Sequence, residues 1–308
     1  MNDHVLVVGA GGFVGRHLVR TLSSHGEKVI AVSRHHVDHG AQGVESIIAE
    51  LTEPEQYTRL LDRCRAVVHL ASRSTPGSSA GRPVDEVLEN LLPLAALLQA
   101  MQQEPQVELL YLSSGGSLYE STSDAPATEA SHMQPRSYHG AAKAAAECLV
   151  NSWCQQYGGR ATLLRPSNIY GPGQIERPGF GIVPACFGRI VRGETLAVWG
   201  DGSIVRDYLY IDDFIGLCME VLATPMSAGA RTLNASSGIG ISLNELFRLI
   251  EVVTDKPLPR NYELHRVVDA RHIVMDPGTA RSHYGWMPVT PLEEGLRKTW
   301  DWFNTTRH

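Results

Sequence analysis

The sequence has no excess of positive charge, no long apolar run and no closely paired cysteines. Each of these features argues against a class of protein. Its 27 lysines and arginines against 33 aspartates and glutamates leave a net charge of −6, which argues against a general nucleic-acid binder. The most apolar stretch, residues 91–98, is far shorter than the roughly 20 residues of a membrane-spanning helix. The first residues lack the basic and apolar regions of a signal peptide. We therefore expect a cytoplasmic protein without a nucleic-acid or membrane partner.

Cysteine and histidine are present, but not at the spacings of a disulfide framework or a metal site. The five cysteines are odd in number and contain no Cys-x-x-Cys pair, which indicates reduced thiols. His35, His36 and His39 lie close together, but they have no cysteine or carboxylate at a recognised ligand spacing. We interpret these histidines as part of a solvated loop and expect no metal.

The sequence does contain a regular alternation of short apolar runs with longer amphipathic segments. The apolar runs, typical of buried strands, cover residues 4–9, 28–33, 66–70, 107–113 and 161–166. The amphipathic segments, typical of helices, cover residues 13–25, 54–63, 84–103 and 138–157. Strands that are apolar throughout and alternate with helices predict an α/β fold with a doubly wound parallel sheet of the Rossmann type.

Glycine and proline pairs interrupt this alternation after residue 170. We predict a Rossmann domain over residues 1–170, with contributions from about 203–235, and a mainly substrate-binding lid over residues 171–308. The lid is expected to be a smaller mixed α/β part, firmly docked, because no Gly/Ser-rich linker precedes it. In such folds the ligands bind at the carboxyl ends of the strands.

A glycine loop stands between the first apolar run and the first amphipathic segment. Gly9, Gly12 and Gly15 follow a strand and open a helix, as in dinucleotide-binding loops. Glycine is needed there because the chain turns tightly and its backbone approaches a pyrophosphate. The helix that begins near Phe13 and Val14 offers unpaired N–H groups and a positive dipole end to the phosphates. The sequence therefore predicts a bound dinucleotide.

The residues after the second strand distinguish between the two nicotinamide dinucleotides. A carboxylate there would hold the ribose 2′-hydroxyl of NAD, but the sequence has Ser33 and Arg34. A hydroxyl and a guanidinium suit the 2′-phosphate of NADP. We therefore favour NADP and keep NAD as an alternative, since Arg34 could instead stack on the adenine. Glu50 and Leu51, after the third strand, are placed to meet the adenine edge.

Six motifs, spread over nearly the whole chain, resemble those of one protein family. They are Gly9-x-x-Gly12-Phe13-x-Gly15, the segments 69–72, 113–119, 165–173 and 200–213, and the pair Arg266-x-x-Asp269 with 284–288. In this order they resemble the extended short-chain dehydrogenases/reductases, in the branch of NAD(P)-dependent nucleotide-sugar epimerases and dehydratases typified by UDP-glucose 4-epimerase. The resemblance implies a cofactor site that includes Leu70, Ala71, Ser72, Lys143 and Pro166.

The resemblance also implies a catalytic Tyr-x-x-x-Lys. In that motif the lysine ammonium lowers the pKa of a phenol, which then takes a proton from a sugar hydroxyl. Lys143 is present here, but His139 stands at the tyrosine position. Three interpretations stay open: neutral His139 is the base, or catalysis is weak or absent, or the neighbouring Tyr138 takes over after a local register shift.

The serine strand departs from the family pattern as well. Counting back from Tyr119, the usual Ser/Thr position holds Gly115. The catalytic hydroxyl would then come from Ser114 or Ser117. A structural interpretation of both serines is that they only cap the end of a strand.

Several further side chains suit the diphosphate of a nucleotide sugar. Arg206 and Arg266 would clamp it, because fork-shaped guanidinium groups match that anion. Asn168 would donate to the same phosphates, and Asp269 would accept from the ribose. Arg73, after the fourth strand, is a further candidate for contact with the substrate. Alternatively, Arg206 could form a structural ion pair with Asp207.

Taken with the resemblance, the motifs predict an enzyme that acts on a nucleoside-diphosphate sugar. We favour an NAD(P)-dependent epimerase that works by transient hydride transfer at sugar C4. The alternatives are an NADPH-dependent reductase of a 4-keto nucleotide sugar and a cofactor-binding protein with weak or no catalysis, because His139 replaces the tyrosine. The resemblance further implies a homodimer through the helices at 84–103 and 138–157.

Overall fold

The computed structural model of the chain describes residues 3–75, 80–119, 125–177, 181–264 and 270–306. Its strands are β1 (His4–Val8), β2 (Lys28–Ser33), β3 (Val44–Ile48), β4 (Cys64–His69), β5 (Glu108–Leu112), β6 (Arg160–Pro166), β7 (Asn168–Tyr170), β8 (Leu196–Trp199), β9 (Val205–Tyr210), β10 (Gly229–Ala235), β11 (Gly240–Ser242), β12 (Arg260–Glu263) and β13 (His272–Ile273). Its helices are α1 (Phe13–Ser24), α2 (Pro54–Leu61), α3 (Pro83–Glu86), a π-helical turn (Val87–Leu91), α4 (Leu92–Met101), α5 (Gly115–Leu118), α6 (Tyr138–Tyr157), α7 (Ile182–Arg192), α8 (Ile211–Ala223), α9 (Leu243–Thr254), α10 (Gly278–Tyr284) and α11 (Leu292–Thr305).

The chain divides into two compact units. The first comprises Met1–Ser114, Ser137–Arg165 and Ile215–Leu233, and the second comprises Gly115–Arg136, Pro166–Phe214 and Asn234–His308. Both units are therefore assembled from separated stretches of sequence.

The first unit is built on a seven-stranded sheet in the order β10-β6-β5-β4-β1-β2-β3. The pairs from β6 to β3 are all parallel, and the order 3-2-1-4-5-6 is that of a Rossmann fold. Four of the five β1 residues are buried, as are four of the six β2 residues, because a parallel sheet is covered on both faces. The predicted α/β fold with a doubly wound parallel sheet is confirmed.

The carboxyl ends of the central strands lie side by side. Val8, the last residue of β1, is in register with Val32 of β2 and with His69 of β4. In a sheet of this order the chain changes direction of winding between β1 and β4, and loops that leave the two strands diverge there. The segments that follow Val8 and His69 are therefore positioned to form a ligand site.

Two helical segments of the first unit pack on the sheet through the same apolar core. Leu94, Leu97 and Met101 of α4 are fully buried beside Val150 and Trp153 of α6. The π-helical turn ends at Leu91, two residues before Pro93. Proline has no N–H, so Pro93 cannot donate to the carbonyl of Glu89 as an α-helix would require. This accounts for a local departure from the α-helical hydrogen-bond pattern.

The ends of α6 follow directly from its sequence. The helix begins after Ser137, whose hydroxyl accepts a hydrogen bond from the N–H of Gly140 at 3.1 Å. It ends at Gly158, which adopts a left-handed conformation with φ of 69°, as is common for a C-terminal glycine. Between these ends the helix runs for 20 residues and carries His139 in its first turn.

The second unit contains two small sheets. In the larger one β9 pairs with β7, β11 and β13, and in the smaller one β8 pairs with β12. Asp213 anchors the carboxyl-terminal motif of this unit: its carbonyl accepts from the Trp286 indole at 3.0 Å, and its carboxylate accepts from the N–H groups of Val289 and Thr290. This contact gives the 284–288 motif a structural role.

Two other observations bear on the predictions from composition. Within the described ranges, no helix has both the length and the apolar character that crossing a bilayer would require. The five cysteine thiols are free, and Cys148 is the exposed one.

Candidate active site

The glycine loop has the close backbone contacts that exclude side chains. Gly9 has a φ of +93°, and a Cβ there would lie 2.7 Å from the backbone nitrogen of Ala71. A Cβ on Gly15 would collide with the carbonyl oxygen of Gly9. Gly12 precedes α1 and supplies no side-chain cap to its first turn, where Phe13 and Val14 are half-buried. The loop therefore fits a pyrophosphate, which needs close backbone approach and an uncapped helix N-terminus.

The end of β2 lies next to this loop. A Cβ on Gly11 would be 3.2 Å from Cβ of Ser33, whose hydroxyl donates to the carbonyl of His35 at 2.7 Å. Arg34 is exposed. Arg16, which the sequence analysis did not single out, donates from Nε to the carbonyl of Gly11 at 3.0 Å. The Arg16 guanidinium therefore lies at the glycine loop, and its position one helical turn after Gly12 was the available signal.

Glu50, predicted to contact the adenine, and Arg73, predicted to contact the substrate, are paired with each other. Arg73 and Glu50 form an ion pair at 2.7 Å. Leu51, next to Glu50, is buried, and its carbonyl accepts from the Tyr57 hydroxyl at 3.2 Å. The pair links the segments after β3 and β4.

The segment after β4 is tied to the first strand. The N–H of Leu70 donates to the carbonyl of Val8 at 2.9 Å, and Ala71 makes the close approach to Gly9 described above. Ser72 donates from its hydroxyl to the carbonyl of Ser74 at 3.3 Å. The resemblance assigns Leu70, Ala71 and Ser72 to the cofactor site. Leu70 and Ala71 thus lie beside β1 and the glycine loop, and Ser72 is the next residue of the chain.

His139 and Lys143 lie one turn apart on α6 and are both buried, at 8% and 7% exposure. The Lys143 ammonium donates to the carbonyl of Leu112 at 2.8 Å and to the Tyr111 hydroxyl at 3.3 Å. These contacts place it at the carboxyl end of β5. Tyr138 is 49% exposed, so the side chain directed inward at this turn is the histidine.

Burial governs the proton affinities at this place. It lowers the pKa of Lys143 to about 8, although the charges of Glu86 and Glu147 oppose that change. Burial and then the charge of Lys143 lower the pKa of His139 to about 4, with Glu86 again opposing. Burial and Lys143 also lower the pKa of His69, at the end of β4, to about 3. The lysine is therefore flanked by two neutral imidazoles at neutral pH.

The polar partners of His139 come from distant parts of the chain and were not predicted from the sequence. Its Nδ1 lies 2.9 Å from the Ser74 hydroxyl and 3.9 Å from Oε1 of Glu86. Asn90, one helical turn after Glu86, joins the same group. The only signal in the sequence was the spacing of four between Glu86 and Asn90, which puts both side chains on one helix face.

A second buried carboxylate fixes α6 to the sheet. Glu147 receives two hydrogen bonds from the guanidinium of Arg165, at 3.0 and 2.6 Å, and one from the Ser113 hydroxyl at 2.5 Å. A paired arrangement of this kind is directional as well as strong. It sets the position of α6 relative to β5 and β6 and therefore the position of Lys143.

The serine strand offers two half-buried hydroxyls. Ser114 lies between β5 and α5, and Ser117 lies within α5. A Cβ on Gly115 would collide with the sulfur of Met275 and approach the carbonyl of Pro166 at 3.1 Å. Gly115, where the resemblance implies Ser or Thr, is thus closed to a side chain as long as Met275 stays in place.

The residues predicted to bind the diphosphate lie in the second unit. Asn168 is exposed and donates to the carbonyl of Asp207 at 2.8 Å. Arg206 is half-buried in β9 and donates to the carbonyl of Val205. The carboxylate of Asp207 accepts from the backbone of Ser237 and its neighbour and from the Ser237 hydroxyl. Arg266 and Asp269 lie outside the described residues.

Within the part of the chain that the structure describes, no three histidine, cysteine, aspartate or glutamate side chains are grouped so as to hold a metal ion.

Comparison with known proteins gives one consistent result. Residues 5–235 match the family model described as the NAD dependent epimerase/dehydratase family. A UDP-glucose 4-epimerase from Mycolicibacterium smegmatis is 27% identical over 307 residues, which cover 97% of each chain.

Solved structures agree with this match. A UDP-glucose 4-epimerase from Thermotoga maritima with UDP-glucose has a TM-score of 0.92 and 29% identity, covering 99% of the present chain and all of the other. A UDP-glucose 4-epimerase from Thermus thermophilus in complex with NAD has a TM-score of 0.89 and 28% identity, covering 98% and 99%.

The contacts of Gly9 predict the effect of adding a methyl group there. In Gly9→Ala we expect a loss of dinucleotide affinity together with a lower melting temperature, because the new Cβ would meet the backbone of Ala71. Gly26→Ala is the matched control: its φ is +81°, but nothing lies within 4 Å of a Cβ. It should lose only about 1 kcal/mol of stability through backbone strain and bind the dinucleotide normally. Equal binding by both variants would contradict the loop assignment.

The buried histidines predict a dependence of stability on pH. Their folded-state pKa values of about 3 for His69 and about 4 for His139 lie below the ordinary 6.5. The unfolded chain therefore binds more protons below pH 6.5, and the free energy of unfolding falls as pH decreases, by roughly 1.4 kcal/mol per pH unit for each histidine.

His69→Phe should reduce that slope by about one proton between pH 4.5 and 6, as measured by urea unfolding. Within the described chain neither His69 ring nitrogen has a hydrogen-bond partner, so a phenyl ring removes a titration without removing such a bond. His283→Gln, at an exposed position, serves as the control and should keep the wild-type slope. An unchanged slope in His69→Phe would show that His69 is protonated in the folded state.

Proposed function

The chain belongs to the NAD dependent epimerase/dehydratase family, and on that premise we propose that it epimerises a nucleoside-diphosphate sugar at C4. The observation that carries the proposal is the buried pair of His139 and Lys143, one turn apart at the carboxyl end of β5, in a chain that matches UDP-glucose 4-epimerases over nearly its full length. When bound, the nicotinamide would accept hydride from the sugar carbon and then return hydride to the opposite face of that carbon.

In this proposal His139 is the group that moves the proton. Its pKa of about 4 makes it neutral at pH 7, so it can accept the proton of the sugar hydroxyl as hydride leaves the carbon. The imidazolium formed is a strong acid and returns the proton readily when hydride comes back. Lys143 holds its own position through the carbonyl of Leu112 and keeps a positive charge beside the imidazole. Ser114 and Ser117 are the proposed hydroxyl partners.

The low pKa of His139 favours epimerisation over net reduction. Only about one imidazole in a thousand is protonated at pH 7 when the pKa is 4. An epimerase is unaffected, because the proton taken in the first half of the cycle is the one returned in the second. A reductase must collect a new proton from solvent for each ketone, and this site is poorly protonated for that task.

We further propose that the glycine loop binds NADP in preference to NAD. Ser33 and Arg34 replace the carboxylate that would hold a 2′-hydroxyl, and Arg16 adds a second guanidinium near Gly11. This composition is also the observation that favours the second candidate function, a reductase that draws on NADPH. Glu50 and Leu51 are proposed to contact the adenine, and Arg73 is proposed to contact the substrate.

The diphosphate is assigned to the second unit. Asn168 and Arg206 are the proposed contacts, joined by Arg266 and Asp269 from the resemblance. A cytoplasmic location stays a prediction from the sequence.

A homodimer is proposed through the helices around 84–101 and α6. Val84, Leu88 and Leu92 on the first run and Leu149 on α6 are exposed to between 40% and 64%. Side chains of this kind are the usual core of an interface between helices of two subunits.

Substitution of His139 tests the proposed reaction. Wild-type protein with NADP⁺ or NAD⁺ and a panel of UDP-, dTDP- and GDP-sugars should yield a C4 epimer, detected by chromatography. His139→Phe should lower kcat by about 10²–10⁴-fold, because the ring cannot carry a proton. Tyr138→Phe, at the exposed neighbouring position, should retain the wild-type rate. Net consumption of NADPH without an epimer would support the reductase instead, and cofactor binding with no sugar conversion would refute catalysis.

The cofactor preference is tested by Arg34→Ala. We expect the Kd for NADP⁺ to rise about tenfold, as loss of a charge-assisted hydrogen bond would give, while the Kd for NAD⁺ changes little. Arg59→Ala, an exposed arginine on α2, is the control for overall charge. Isothermal titration calorimetry with both dinucleotides provides the measurement, and an equal loss for NAD⁺ would indicate that Arg34 stacks on the adenine.

The dimer is tested by placing a charge on the apolar surface. Leu88→Glu should shift the mass in multi-angle light scattering from a dimer to a monomer of 33.7 kDa, because a carboxylate would be buried there without a partner. Val252→Glu, at an exposed position of α9, should leave the mass unchanged. A monomeric wild type would rule the interface out.

A further inference from the structure

Beside Nδ1 of His139 lies a cluster of one buried and two half-buried polar side chains that the proposed reaction does not use. It consists of Ser74, Glu86 and Asn90, and Glu86 is only 3% exposed. Ser74 belongs to the segment after β4, Glu86 ends α3, and Asn90 lies in the π-helical turn. A carboxylate is rarely buried to this extent unless it has charged or hydrogen-bonding partners, because its desolvation is costly.

The orientation of the Asn90 amide follows from its backbone partner. Its Oδ1 accepts the N–H of Arg73 at 3.0 Å, which a nitrogen of the amide could not do. The Nδ2 group therefore points the other way and donates to the Ser74 hydroxyl at 3.0 Å and to Oε2 of Glu86 at 2.7 Å. Both hydrogens of the amide are used in these two bonds.

The Ser74 hydroxyl has one hydrogen, and its destination is fixed as well. Oε2 of Glu86 lies 2.8 Å from the hydroxyl, and a carboxylate only accepts. The hydrogen of Ser74 therefore goes to Glu86. The hydroxyl can only accept from Nδ1 of His139, which lies 2.9 Å away. Assigned from this network, the neutral imidazole carries its hydrogen on Nδ1 and its lone pair on Nε2.

We propose that Glu86 is a positioning residue that acts through Ser74 to hold His139 in the Nδ1–H tautomer, so that Nε2 is the nitrogen that receives the proton. The link to proton transfer from a sugar rests on the proposed function, whereas the tautomer does not. Glu86 itself takes no proton in this scheme: the proton passes from the sugar hydroxyl to Nε2, and the hydrogen on Nδ1 stays.

The requirement arises from the change of residue type. A phenol has a single oxygen that both loses and regains the proton, whereas an imidazole has two nitrogens, and only one tautomer places the lone pair on a given nitrogen. Glu86 also faces the charge that develops. Its Oε1 lies 3.9 Å from Nδ1 of His139 and has no hydrogen-bond partner within the described residues. It can therefore stabilise the imidazolium against the nearby ammonium of Lys143.

The test begins with the tautomer, which needs no activity. The full-length protein is labelled with ¹⁵N in its histidine rings, and the His139 resonances are assigned by their absence in His139→Gln. Long-range ¹H–¹⁵N correlation at pH 7 should show a protonated Nδ1 and an unprotonated Nε2 in the wild type. Glu86→Gln and Ser74→Ala should both shift the pattern towards Nε2–H or a mixture of tautomers. Asp85→Asn, the half-buried neighbouring carboxylate, should leave it unchanged.

Kinetics then connects the tautomer to the reaction. Glu86→Gln should lower kcat for epimerisation at least tenfold with less than a twofold change in KM, and Glu86→Asp should restore part of the rate. Ser74→Ala serves as the second variant if Glu86→Gln fails to fold by circular dichroism. A wild-type Nε2–H tautomer, or an Nδ1–H tautomer and rate that both survive Glu86→Gln and Ser74→Ala, would overturn the proposal.

The two proposals fail in different ways. A protein that epimerises no sugar but shows the Nδ1–H tautomer, lost in Glu86→Gln, refutes the proposed function and retains the positioning role. A protein that epimerises sugars at an undiminished rate in Glu86→Gln retains the function and refutes the role of Glu86.

Discussion

Burial of the Lys143 ammonium at the carboxyl end of β5 is the constraint on which the rest of the candidate site depends. A charge removed from water needs fixed partners and opposing charge. The carbonyl of Leu112 provides the partner, and Glu86 and Glu147 provide the opposing charge. Glu147 is already committed to the guanidinium of Arg165. Glu86 is therefore the carboxylate left to balance Lys143 and, in the proposed reaction, the proton on His139.

The sequence predicts well those parts of the fold that depend only on residues near one another in the chain. Apolar runs and amphipathic segments identify β1, α1, β2 and α6 because each is a local pattern. The glycine loop is equally local, and the structure gives its reason in the contact of Gly9 with Ala71. These features locate the candidate dinucleotide site without knowledge of the remaining chain.

The missed features are contacts between distant segments. Ser74 and His139 are 65 residues apart, and Glu86 stands in a charged stretch that resembles an ordinary exposed helix start. Nothing in that local pattern predicts a carboxylate that is 3% exposed. Arg73 and Glu50 show the same limit, since each was assigned a ligand from its place after a strand, and the structure pairs them at 2.7 Å.

The histidine that stands where the resemblance implies a tyrosine therefore concerns more than one residue. With a buried lysine nearby, an imidazole tends to stay neutral, which suits a base but opposes the protonated state that forms during the reaction. A carboxylate beside Nδ1 relieves that opposition and, through Ser74, also selects the tautomer. Both demands are met by the same side chain, Glu86, because it lies against Nδ1 and Ser74 at once. A histidine at this position without such a carboxylate would be a neutral ring with an undefined lone pair, and the candidate site has that carboxylate.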